Sequence, residues 1–244
     1  FYKIMTEDLR IHKFLSQAWI CSRRKAEEYI QAWLITVNWK VATIGQVINP
    51  ETDKVELKQK AVEEQNKLVY YKLNKPKWIV TTCAQHDEKN ILDVIKVPER
   101  VFPIGRLDKD TTGLILLTND WRLANYLMHP RYNHQKEYVV ETFWPIWDNA
   151  LEKMANWLVI LGSLTKPAII KKVASWKFHI TISEWKNRQI RRMVEKVGSK
   201  VKKLKRIRIE NIELWNLQEW EFKHLTQKEI NELFKRLDIK QEIS

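Results

Sequence analysis

Apolar residues at Ile11, Phe14, Leu15 and Ala18 follow an i, i+3, i+4, i+7 spacing that predicts a short amphipathic helix. Ser22 then stands as an N-cap ahead of Ala26, Tyr29 and Ile30, which repeat the helical period. Residues 34–37 and 40–43 read as strands around the turn Asn38-Trp39, so residues 8–60 form a helix–helix–hairpin unit. The polar stretch 59–66 reads as a linker. From residue 67 to 244 the pattern predicts strands at 68–73, 79–82, 114–118, 138–142, 177–182 and 207–214. Helices are expected at 122–128, 150–155 and 188–197, the last stopped by Gly198. A final helix opens at Thr226 with Glu229 three residues later, a capping-box pattern, and its apolar face is Ile230, Leu233, Phe234 and Leu237. Strands interleaved with isolated helices, without a regular βαβ rhythm, predict an α+β fold with a mixed, mainly antiparallel sheet.

Charge adds a partner to this picture. The chain has 43 Lys and Arg against 30 Asp and Glu, a formal net charge of +13, which favours a polyanion and nucleic acid ahead of a membrane. The first turn of the second predicted helix holds Arg23, Arg24 and Lys25, three cations that oppose the helix dipole and that a phosphate would compensate. Arg188, Arg191 and Arg192 stud the helix at 188–197. In residues 200–208 six of nine side chains are cationic, and Lys202, Lys203 and Lys205 read as a phosphate-tracking strip beside buried Ile207 and Ile209. The ordinary alternative for each group is a solvated basic face.

Some chemistry is disfavoured. Cys21 and Cys83 lack a CxxC or Cys/His neighbour, and His12, His86, His129, His134, His179 and His224 are scattered, so no metal site is expected. Two isolated cysteines fit a reducing, cytoplasmic setting. No apolar run approaches the ~18 residues of a membrane span. The segment FPIGRLDKDTTGLILLTND is the most specific: Arg106, Asp108 and Asp110 sit on a polar loop that runs straight into an apolar strand. A carboxylate fixed by a buried strand suits nucleophilic or acid–base work. A structural ion pair, or a pair of hydrolytic carboxylates, would use the same residues.

RIHKFLSQA, CSRRKAEEYI and VNWKVATIG together resemble an S4-type RNA-binding module. GRLDKDTTGLILLTND, KEYVV and NRQIRRMVEKVG resemble, in order, the catalytic motifs of the bacterial RsuA/RluB/RluF-type pseudouridine synthases. The likeness spans nearly the whole chain, and RVFPIGRLDKD, LGSLTKP and RQIRRM look closest to the large-subunit branch, the 23S rRNA pseudouridine synthase F type. The resemblance implies an S4-like domain at 8–60 and a pseudouridine synthase catalytic domain at 67–244. It makes Asp108 the catalytic aspartate, with Arg106 in the same motif, Tyr138 packing against the target base and Arg191 pairing with Asp108. It implies ribosomal RNA as partner, 23S ahead of 16S with tRNA as a further candidate, no cofactor, and no need for more than a monomer. The competing class is a non-catalytic S4-domain RNA-binding or ribosome-assembly factor.

One departure is systematic. The chain has 12 tryptophans and 5 glycines, about 2% glycine where ~7% is usual, and the two together restore about 7%. Trp19, Trp33, Trp39, Trp78, Trp121, Trp157, Trp185, Trp215 and Trp220 stand where the family pattern has or commonly has glycine, several in recognisable turns. They are a base-stacking set, ordinary core residues, or glycines whose UGA codons have been translated as tryptophan. The combined count and the turn positions favour the third.

Overall fold

The computed structural model describes residues 8–18, 20–61, 68–82 and 88–238. Trp19, Cys83, His86 and most of the expected linker lie outside these. The chain divides into two compact units, Phe1–Leu68 and Val69–Ser244.

In the first unit, helix α1 (Ile11–Gln17) precedes α2 (Arg23–Gln31), and the Ser22 side chain accepts the Lys25 backbone N–H at 3.2 Å. Strands β1 (Ile35–Val37), β2 (Lys40–Val41) and β3 (Val55–Leu57) pair antiparallel in the order β2–β1–β3. Ile11, Phe14, Leu15, Ala26, Ile30, Ile35, Val37 and Ile48 form one core. Apart from Ile48, which lies outside the expected elements, these are positions that the helical and strand periods select.

The second unit is built on a nine-stranded sheet. Its strands include β4 (Tyr70–Lys75), β5 (Phe102–Ile104), β6 (Thr112–Thr118), β7 (Lys136–Thr142), β8 (Ile169–Ala174), β9 (Lys177–Ile182), β10 (Val201–Ile209) and β11 (Phe222–His224). The main path runs β8–β9–β7–β10–β6–β4–β11, with β5 paired to β6. Among the described strands, β10 and β6 form the one parallel junction, through Lys205–Thr112 and Arg206–Gly113; the rest is antiparallel. Every residue of β6 is buried, which explains its unbroken apolar run.

The longer helices of the unit are α3 (Trp121–Met128), α4 (Asp148–Asn156), α5 (Gln189–Lys196) and α6 (Gln227–Arg236), with a single helical turn at Ile91–Val94. The capping box of α6 is formed: Glu229 N–H donates to Thr226 Oγ1 at 3.2 Å and Thr226 N–H to Glu229 Oε2 at 2.8 Å. Leu233 and Phe234 carry its buried face into a cluster with Leu116, Leu123 and Leu127.

Three expectations change. Residues 79–82 form no strand, only an isolated bridge between Val80 and Asn90. The expected strand 207–214 is the end of β10, a reversal at Glu210 with φ +50°, and a short return strand Ile212–Glu213. The cationic strip in β10 is broken as well, because a bulge in the β7 pairing turns Arg206 into the core and leaves Ile207 half-buried.

Asp120 shows how one polar residue closes a strand–helix junction. Its carboxylate is 1% exposed, caps α3 through the Arg122 N–H at 3.0 Å, accepts the Tyr70 hydroxyl at 3.0 Å and pairs with the Arg122 side chain at 3.1 Å. Asp120→Ala is expected to cost about 2–3 kcal/mol, since it removes a cap and strips buried donors of their acceptor. A urea-unfolding shift below about 0.5 kcal/mol would show that water replaces it.

Candidate active site

The loop between β5 and β6 is pinned from several sides. Thr81 Oγ1 donates to Leu107 O at 3.0 Å and accepts the Leu107 N–H, and Thr111 N–H closes a turn onto Asp108 O at 3.0 Å. Leu107 is buried in the core, so the following Asp108 side chain is held near the surface without being free in it. Gly113, with φ +104°, is the second residue of β6, where the backbone of Arg206 passes so close that a Cβ would lie 2.1 Å from Arg206 O.

Helix α5 faces this loop. Its N-cap, Arg188, adopts a left-handed conformation with φ +50°, and its guanidinium reaches Asp108 Oδ2 and Asp110 Oδ1, each at 3.4 Å. Strain in a non-glycine residue at this place marks a side chain whose direction is fixed by its surroundings. One turn later, Arg191 bonds Asp110 Oδ2 at 3.0 Å, Asp110 O at 3.3 Å and Thr111 Oγ1 at 3.2 Å. The expected pairing of Arg191 with Asp108 is therefore corrected. The left-handed cap swings Arg188, assigned from sequence to RNA, onto Asp108, while Arg191 lies under Asp110. Burial pulls the Arg191 guanidinium below its ordinary value, with Asp110 opposing.

Beneath the loop lies a layer of buried polar groups. Tyr138 of β7 is wholly buried and sits in register with Arg206 on one side and Ile180 on the other; its hydroxyl makes no hydrogen bond of regular geometry among the described residues and lies within the influence of the Arg206 side chain. Burial drives its pKa up against the smaller opposing pull of the neighbouring Arg206, and the Asp108 charge adds a little to the rise. Arg206 donates Nε–H to Leu114 O at 2.7 Å, and its buried Nη2 has no hydrogen-bond partner among the described residues. Lys75, at the end of β4, gives Nζ to Pro76 O and Ile79 O, each at 2.9 Å. Burial pushes its ammonium down to about 8, against the smaller opposing pull of Asp110 and Asp108. Lys136 is likewise lowered to about 8 by burial, with Arg206 adding to the effect.

The Lys75 shift has a consequence for stability. Its folded pKa lies below the ordinary 10.5, so between pH 8 and 10.5 the unfolded chain holds more protons and stability rises with pH. From pH 8 to pH 10 this gain is on the order of 2 kcal/mol. Lys75→Met is expected to lack it, so the difference between the urea midpoints of the two chains should move in favour of the unaltered chain as pH rises. Parallel midpoint curves would show that Lys75 is not the source.

The remaining sequence candidates separate. Arg106 is exposed with no ion-pair or hydrogen-bond partner among the described residues, and the structure does not bring it to the carboxylates. Ile190, next to Arg191, is buried in the core beside Tyr138. Arg192 turns back to Asn187 O at 3.1 Å. Lys202 and Lys203 are exposed on β10, whereas Lys205 is half-buried. In the first unit Arg23 and Arg24 are exposed at the start of α2, while Lys25 pairs with Glu28 at 2.6 Å. Sequence reasoning missed Lys75 and Arg206. Lys75 stands two residues past the expected strand 68–73, and nothing separates Arg206 from its cationic neighbours. No group of His, Cys, Asp and Glu among the described residues is arranged to hold a metal, and no described helix is long and apolar enough to cross a membrane.

Comparison with known proteins adds to this geometry. Residues 69–196 match the RNA pseudouridylate synthase family and residues 9–53 match the S4 domain. The chain is 42% identical over 232 residues to the dual-specificity RNA pseudouridine synthase RluF of Escherichia coli (strain K12), covering 94% of this chain and 80% of that protein. It is 38% identical to the ribosomal large subunit pseudouridine synthase B of Bacillus subtilis (strain 168), covering 92% and 95% respectively. A crystal structure of a pseudouridylate synthase superposes with a TM-score of 0.69 at 30% identity, covering 92% of this chain and 99% of that one. A carboxylate loop and an arginine-bearing helix that meet over a buried tyrosine, in a chain with these relatives, place this protein in the RsuA/RluB/RluF group of RNA pseudouridine synthases, with an S4 domain at its N-terminal end.

Proposed function

We propose that this pseudouridine synthase acts on a specific uridine of ribosomal RNA, in the large-subunit 23S rRNA, with Asp108 as its nucleophile. One observation carries the reading. Asp108 is a partly exposed carboxylate on a pinned loop, with a strained arginine at 3.4 Å and a buried tyrosine within its field. The activities of both relatives named above support an RNA substrate, and the ribosomal large subunit enzyme of Bacillus subtilis supports the large subunit.

The overall change is redox-neutral. The bond between uracil N1 and the ribose anomeric carbon breaks, a bond from C5 to that carbon forms, C5 gives up its proton and N1 ends protonated. Asp108 supplies the covalent partner that lets the base detach, turn and rejoin. Arg188 aims that carboxylate, Arg191 holds Asp110 and thereby the loop, and Tyr138 provides a flat wall for the base. The target nucleotide must leave any stack to reach such a site. In this reading residues 67–244 carry the chemistry, and the S4-like unit at 8–60 holds flanking RNA through Arg23, Arg24 and Lys25. Arg192, Lys202, Lys203 and Lys205 make further backbone contacts.

The test is to incubate the chain to exhaustion with 23S, 16S and tRNA transcripts and map pseudouridine by carbodiimide-blocked primer extension. One new stop in 23S rRNA, absent with Asp108→Asn, is expected. A stop in 16S rRNA alone would overturn the large-subunit assignment, and a stop that survives Asp108→Asn would overturn the nucleophile.

A further inference from the structure

The tryptophans are where the backbone disagrees with the side chains. All five glycines adopt positive φ, from +73° to +104°, and so do Trp33, Trp39, Trp78, Trp215 and Trp220, at +57°, +63°, +68°, +45° and +72°. A bulky side chain in that region is a genuine outlier, because its Cβ meets the neighbouring carbonyl. Among the described residues tryptophan supplies five of the thirteen non-glycine positions with positive φ, although only 12 of the 244 residues are tryptophan, and that concentration needs a cause.

Three of the five settings, at Trp33, Trp39 and Trp220, are ones that glycine fills. After α2, Trp33 N–H donates to Ile30 O at 3.0 Å and Leu34 N–H to Tyr29 O at 2.9 Å. After α5, Gly198 N–H donates to Glu195 O and Ser199 N–H to Val194 O, each at 3.0 Å. The two helix ends are the same Schellman motif, with tryptophan in one and glycine in the other at the position that requires a left-handed residue. Trp39 follows Asn38, whose φ is +49°, in the two-residue turn joining β1 and β2. Two consecutive positive φ values there are the requirement that Asn-Gly satisfies. Trp220 is the third residue of a turn closed by Glu221 N–H to Gln218 O at 3.1 Å, where positive φ again selects glycine.

The other two explanations fail on the same residues. These side chains are not core, since all five are more than half exposed. A base-stacking role would account for an exposed ring and leaves the left-handed backbone at all five unexplained.

We propose that positions 33, 39, 78, 215 and 220 are glycine in the protein its organism makes, through UGA codons decoded there as glycine and translated here as tryptophan. The same decoding applies to position 185, which lies outside the left-handed set but matters for the chemistry. The Trp185 indole stacks on the buried Tyr138 ring, with centroids 6.3 Å apart and planes at 21°. Glycine at 185 uncovers the tyrosine face that, in the function proposed above, the target base packs against. That last step rests on the pseudouridine reading; the glycine assignment does not.

The gene decides the first part. UGA at all six codons is expected; UGG at the five overturns the assignment, and UGG at 185 alone overturns its extension to that site. The protein gives an independent readout. A chain carrying Trp33→Gly, Trp39→Gly, Trp78→Gly, Trp215→Gly and Trp220→Gly is expected to melt higher, by roughly 2–4 °C per site. An equal or lower melting temperature would count against relieved strain and overturn the structural argument. For the site, Trp185→Gly is expected to raise kcat/KM for pseudouridine formation by about tenfold or more, and Trp185→Gly with Asp108→Asn to make none. An unchanged kcat/KM in an active enzyme overturns the role given to position 185. If Trp185→Gly and the unaltered chain are both inactive on every RNA while the codons are UGA, the proposed function falls and the glycine assignment stands.

Discussion

Asp108→Asn is expected to lower single-turnover pseudouridine formation by roughly 10⁴-fold, the scale on which removal of a nucleophile is felt. The substitution keeps the shape of the side chain and removes its charge and nucleophilicity. Because the Asp108 side chain is 29% exposed and its arginine partner 42% exposed, the lost ion pair contributes little to stability. The melting temperature should therefore move by no more than a degree or two, while the activity disappears. The informative comparison is Asp110→Asn. Asp110 pairs with Arg191, whose side chain is only 10% exposed, so its loss leaves a mostly buried guanidinium without its carboxylate. That variant should lose stability, by about 1–3 kcal/mol, and keep measurable turnover. The opposite outcome, with Asp110→Asn inactive and stable and Asp108→Asn active, would transfer the nucleophile's role to Asp110.

Sequence and structure part company at this pair of carboxylates for a physical reason. Residue order places Asp108, Asp110, Arg188 and Arg191 on a loop and a helix end, and that much was legible. Which arginine meets which carboxylate depends on a single dihedral, the left-handed φ of Arg188, which has no signature in the chain because arginine is not a residue that favours it. Strand β6 and the capping box of α6 were legible because burial and hydrogen bonding there follow local rules. Residues 79–82 misled because a short apolar run satisfies the strand pattern without a neighbour to pair with. Arg206 was hidden for the converse reason. It stands in a run of cations that reads as solvated, and only the bulge between β7 and β10 turns it inward. Lys75 is buried because β4 ends beneath the loop, a fact of tertiary packing rather than of period.

Gly113→Ala is expected to be the most damaging single substitution in the second unit, costing about 4 kcal/mol or more. Two penalties coincide there. The φ of +104° is unfavourable for any residue with a Cβ, and that Cβ would lie 2.1 Å from Arg206 O and 2.7 Å from Arg206 N. Both atoms are backbone, so no side-chain rotation relieves the clash. The strands also have little room to separate. Arg206–Gly113 is one of the two register pairs in the β10–β6 junction, and Arg206 Nε–H holds Leu114 O at 2.7 Å across it. Opening the junction would move the Asp108 loop, which leads into β6, away from Tyr138, which β10 carries through its pairing with β7. Gly105→Ala separates the two penalties, because φ is +75° there but nothing lies within 4 Å of an added Cβ. It should cost only about 1–2 kcal/mol. Urea unfolding of the two variants measures the difference. Equal costs would mean that β10 and β6 can part without resistance, and the close approach at Gly113 would then not be what fixes the carboxylate loop over the tyrosine.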